Sequence, residues 1–123
     1  GELSARGLLT DRLASRLRKQ LRKRSDQTQG LIVSAIAQTG DVERFGLPMI
    51  ECYAQNKNKS LKETGGVSKQ IIFSFFRWEL QQGNIIDYLQ EKRDEPEYRK
   101  YKTAIDEIIA RLRELKQQRR GSR

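Results

Sequence analysis

Leu9, Leu13, Leu17 and Leu21 recur every fourth residue, with Ala14 beside them and polar side chains between. That recurrence is one narrow apolar stripe of an α-helix, and it predicts a helix over 8–24, started by Ser4 or Thr10. Ser25 and Asp26 offer a fresh N-cap. A second helix follows over 26–39, with Leu31, Ile32, Ala35 and Ile36 inward and Gly30 weakening it. Gly40 suits the position just past its end, and Asp41 suits the cap of the next helix. That third helix covers 42–55 with Val42, Phe45, Met49, Cys52 and Tyr53. Gly46 and Pro48 predict a break or kink near its start, or a fresh helix opening at Pro48.

Residues 56–66 are polar and end on Gly65 and Gly66, so they read as loop. From Val67 to Gln82 the chain turns strongly apolar, with Ile71, Ile72, Phe75, Phe76, Trp78 and Leu80. Ile71-Ile72-Phe73 would suit a strand. The length of the run and the interleaved Arg77, Glu79 and Gln81 favour a helix, capped by Ser68 and central to the core. Gly83 ends it, and Asn84 caps a short helix over 85–93. Asp94, Glu95, Pro96 and Glu97 form the start signal of a last helix, since proline and acidic groups suit a first turn. Its stripe is Tyr98, Tyr101, Ile105, Ile108, Ile109, Leu112 and Leu115. The pattern therefore predicts an all-α compact bundle of five or six helices, with one central apolar helix and long basic terminal helices. A single helical domain over 1–120 is expected, with 121–123 a disordered tail.

Charge sharpens this picture. The chain of 123 residues has a net charge of +9, placed unevenly. Residues 1–24 carry net +6 and residues 111–123 net +5, while 25–110 carry net −2. The middle is thus an acidic-to-neutral core segment, set between a basic N-terminal helix over 8–24 and a basic helix end over 111–120. Such asymmetry points to a polyanionic partner. In the first helix Arg12, Arg16, Lys19 and Lys23 step by three or four residues and so share a face. Arg18 and Arg22 form a neighbouring row, Arg24 closes the segment, and no acid stands between Arg12 and Arg24. Arginine predominates, which favours forked contacts to phosphate. At the other end Arg111, Lys116, Arg119 and Arg120 supply a second basic group.

Catalytic chemistry is hard to assemble. The chain has no histidine and one cysteine, Cys52, so it lacks the commonest general base and a zinc ligand set. No glycine-rich phosphate loop of standard spacing appears. Asp106 and Glu107 lie within a predicted helix and read as a solvated face. Cys52 lies one turn from Met49 and reads as a small core hydrophobe. The expectation is a non-enzyme with no cofactor, no metal and no small-molecule substrate. A lone cysteine allows no internal disulfide, in keeping with a reducing compartment, cytoplasmic or nucleoid-associated or nuclear. No run is long enough to span a membrane. The basic amphipathic first helix has no aromatic anchor for a membrane surface.

The expected function is non-catalytic binding of nucleic acid, DNA or RNA, through backbone contacts, either alone or as a small subunit of a nucleoprotein complex. Two alternatives stand beside it. Residues 60–80 have the pattern of a helix-turn-helix, with Ser68, Lys69 and Gln70 opening a recognition helix and Gln70 able to pair with adenine. The aromatic content of that helix suits a core better. The second alternative is a protein-interaction module. The long stripe of the last helix would then continue into a homodimer or a larger protein complex.

Overall fold

The computed structural model describes residues 11–23, 28–59 and 66–121, with Lys23, Thr28 and Gly121 as backbone only. These residues form α1 (Asp11–Lys23), α2 (Thr28–Thr39), α3 (Val42–Asn56), α4 (Val67–Gln82), α5 (Ile85–Lys92), a 3-10 turn (Arg99–Tyr101) and α6 (Lys102–Gly121). Among the described residues there is no strand. The expected helix ends at 8–10, 24 and 26–27, the loop at 60–65 and the tail at 122–123 lie outside the described residues. Gly121, expected in the tail, is the last residue of α6.

α4 is the central element, packed on α2, α3, α5 and α6. Its Ile71, Phe75 and Trp78 are fully buried. The two rings meet edge to face at 5.4 Å, the arrangement that aromatic quadrupoles favour. Trp78 Nε1 donates to the Ala37 carbonyl at 2.8 Å, so the indole enters the core with its polar atom satisfied. Gly66 precedes α4 with φ 83° and Gly83 follows it with φ 81°, both in the left-handed region where a Cβ would be strained. One core cluster draws on every helix, from Ala14 and Leu21 of α1 to Ile105, Ile108 and Leu112 of α6.

Five expectations are corrected. Ser68 does not cap α4, since Gly66 holds the N-cap position and no side-chain cap bond is made. α2 is rotated from the stripe read in its sequence: Leu31 is 74% exposed and Ala35 also faces out. The buried row is Gln29, Val33, Ile36 and Ala37. Gln29 can be buried because it is bonded, donating to the Leu21 carbonyl at 2.9 Å and accepting from Asn56 Nδ2 at 3.2 Å. Gly30 has its own reason to stand in α2, because a Cβ there would lie 3.0 Å from Gln70 Oε1.

α3 runs unbroken through Pro48. Phe45, Pro48, Met49 and Ile50 are all buried, and that packing outweighs the lost helical bond. Asp41 does cap α3, accepting from Arg44 N at 3.1 Å. Asn84 holds the N-cap position of α5 but makes no side-chain cap bond. Glu79 takes that role from the preceding helix: its Oε1 accepts from Ile85 N and Ile86 N, each at 2.9 Å. Finally, Pro96 does not open the last helix. The chain turns tightly through Tyr98 N to Glu95 O and Tyr101 N to Tyr98 O, and α6 starts at Lys102. Burial of Tyr98 in that turn takes precedence over the local start signal.

Candidate nucleic-acid interface

α1 packs on α2 and α3 through Ala14 and Leu21, with Leu17 half-buried. The rest of its circumference is open, including much of Leu13. Arg12, Arg16 and Lys19 are exposed on one side, at the helical spacing that sequence predicts. Among the described residues none of the three has an acidic partner. Together they span about 10 Å of helix axis. The neighbouring row is different. Arg18 is half-buried and donates to Ser15 Oγ at 3.1 Å. Arg22 Nε donates to Glu51 Oε1 of α3 at 3.0 Å. Lys23 ends α1 with its side chain outside the described residues, and Arg24 lies outside them altogether.

The second basic group sits on α6, and only part of it is available. Lys116 Nζ pairs at 3.1 Å with Glu79 Oε2, and Glu79 is 5% exposed, so this lysine neutralises a buried carboxylate. Arg111 pairs with Glu114 one turn on. Arg119 and Arg120 are exposed. Arg120, Lys116 and Arg113 line an open groove of about 580 Å³ with Ile86 and Gln117, and Glu114 also contributes to its wall. Arg113 was not singled out from the sequence. Its spacing of seven residues from Arg120 is the helical signal that would have found it.

α3 is a common neighbour of α1 and α6, the helices that carry the two basic segments. Glu51 of α3 takes both Arg22 and Tyr101, whose Oη donates to Glu51 Oε2 at 3.2 Å. The C-terminal part of α1 is thereby tied to the start of α6. The cationic part of α6 begins ten residues further on, about 15 Å along the axis.

The opening of α4 is also explained. Lys69 is exposed, but Gln70 is turned into the fold. Its Nε2 donates to the Gly30 carbonyl at 2.8 Å and to Ser34 Oγ at 2.7 Å. The amide expected to read a base edge instead fastens α4 to α2. The stripe of α6 expected to seek a second chain is likewise covered internally: Ile105, Ile108, Ile109 and Leu112 are buried.

Among the described residues no group of histidine, cysteine, aspartate or glutamate could hold a metal ion. No described helix is long and apolar enough to cross a membrane. Asp106 pairs with Arg93 at 2.8 Å, and Glu107 accepts from Lys57 Nζ at 2.9 Å and from Tyr53 Oη at 3.2 Å. Both acids are engaged in tying α6 to neighbouring segments. Compared with protein-family models, curated proteins and solved structures, the chain matches none.

Proposed function

We propose that this protein binds nucleic acid without catalysis, holding the phosphate backbone on the exposed face of α1. The observation that carries this reading is the row Arg12, Arg16 and Lys19, exposed and without an acidic partner among the described residues. Several other described cations are taken up by the fold, although Lys69 and Arg77 of α4 are not. Arg22, Arg44, Lys57, Lys92, Arg93, Arg111 and Lys116 all lie in ion pairs. No ion pair within the described fold holds the α1 row, and a polyanion would. Arginine at two of the three positions favours phosphate, which its planar fork matches with two parallel bonds. Contacts of this kind position the backbone and carry no base information.

The test is a binding titration of the full chain and the triple variant Arg12→Gln, Arg16→Gln, Lys19→Gln on a labelled mixed-sequence oligonucleotide at low salt. The three side chains lie off the Ala14–Leu21 contact, so the variant keeps its fold. Binding by the parent and loss of affinity in the variant support the reading. No binding by the parent at low salt overturns it.

A further inference from the structure

We infer that the exposed face of α4 is a second contact site, on which Phe73 stacks an unpaired base of a single strand. This deepens the nucleic-acid reading and rests on it. Phe73 is 47% exposed on a helix whose apolar work is done by Ile71, Ile72, Phe75 and Trp78. Lys69 lies one turn before it and Arg77 one turn after, both exposed. Among the described residues neither has an acidic partner. The two cations are about 12 Å apart along the helix, with the ring midway.

Among the described residues the ring has no aromatic or cationic partner, unlike three tyrosines of the fold. Tyr88 and Tyr101 each have a lysine ammonium 5.3 Å from the ring centroid, and Tyr98 has one at 5.9 Å. Among the described residues no cation or second ring covers Phe73. A depression of about 220 Å³ opens on its α2 side, bounded by Ser34 and Gln38. Another of about 200 Å³ opens on its α6 side, between Lys69 and Arg111 over Tyr53 and Ile72. The acids of α6 beside Arg111 are already engaged, Glu107 by Tyr53 and Lys57, Glu114 by Arg111 itself.

An aromatic platform set between cations is the means by which proteins hold single strands, because every base has a π-face and every linkage a charge. A strand laid along α4 would set a base on the Phe73 ring and its flanking phosphates against Lys69 and Arg77. In a duplex the π-faces are already stacked on one another, so the site selects the single strand. A second copy of the chain is the rival occupant, since Leu80 and Leu31 are also exposed. A two-fold contact centred on Phe73 would bring Lys69 and Arg77 of one copy against the same two cations of the other, a like-charge arrangement. Charge complementarity favours the polyanion.

The test compares the parent, Phe73→Leu and Phe73→Trp on a short mixed-sequence single strand and on the same sequence as duplex, with sedimentation run alongside. Phe73→Leu keeps an apolar side chain and removes the π-face. The expected result is a roughly tenfold loss of single-strand affinity, the scale of one stacked base, with duplex affinity unchanged. Phe73→Trp should restore binding, and its exposed indole should be quenched by the single strand. Equal affinity of parent and Phe73→Leu for the single strand overturns the stacking site, as does an equal loss on both probes. A concentration-dependent dimer that Phe73→Leu abolishes assigns the face to a second copy. In each of those cases duplex binding by the parent leaves the α1 reading standing, whereas failure of the parent to bind either probe removes both.

Discussion

Cys52 and Tyr53 stand side by side near the end of α3, and the fold holds both neutral. Burial pushes the Cys52 thiol from 9.0 up to about 11, against a smaller opposing effect of its bond from Asn56. Burial, then the charge and hydrogen bond of Glu107, push the Tyr53 phenol from 10.0 up to about 12. A group whose pKa is higher folded than unfolded adds stability below the unfolded value and loses it as pH rises through the folded one. Thermal stability should therefore be insensitive to these two groups up to about pH 9, then fall between pH 9 and 12. Melting curves across that range check it. The same burial predicts that the native thiol resists alkylation at neutral pH, because the thiolate is the nucleophile. Rapid labelling of the folded protein would contradict this.

Glu79 shows what a single residue does across elements. It caps α5 with one oxygen and receives Lys116 with the other, while buried on α4. Glu79→Ala would strand two backbone N–H groups and should cost roughly 2–4 kcal/mol of stability, read by chemical denaturation. A variant as stable as the parent would show that Asn84 caps α5 instead.

The helices themselves were legible wherever periodicity and punctuation agreed. The extent of α4 was readable because Val67–Gln82 carries a dense apolar run between two glycines, both with positive φ, although its cap is Gly66 and not Ser68. Phe75→Ala should accordingly destabilise by on the order of 3–5 kcal/mol, as truncation of a fully buried ring does. A melting temperature close to that of the parent would contradict the central place of α4. The face of α2 was not legible, because its inward row includes Gln29, whose burial depends on partners at Leu21 and Asn56. Residues distant in sequence decide such a choice, and hydrophobicity alone picks Leu31. The start of α6 was misread for a related reason. Pro96 is a local signal, while the docking of Tyr98 and Tyr101 is tertiary.

At the scale of the molecule, the sequence shows where the charge lies but not which charges remain open. Six cations from Arg12 to Lys23 look equivalent along the chain. Folding divides them, giving Arg22 to Glu51 and leaving Arg12, Arg16 and Lys19 in water. Lys116 and Gln70 look like contact residues in sequence and prove to be joints between helices. In sequence Arg77 marks only a polar position that favours helix over strand, and Phe73 reads only as part of an apolar run. The spacing Lys69, Phe73, Arg77 carries the signal only once the buried face is known.

On our proposal, three cations of α1 contact phosphate. This contact is tested most directly by the salt dependence of binding, measured on the parent and on the variant Arg12→Gln, Arg16→Gln, Lys19→Gln with the same oligonucleotide. Each phosphate contact contributes roughly 0.7–0.9 to the slope of log affinity against log salt concentration. The variant should bind more weakly at low salt, with a slope shallower by about two to three. Parallel lines of equal affinity would show that this face of α1 is only solvated and that its cations do not hold phosphate.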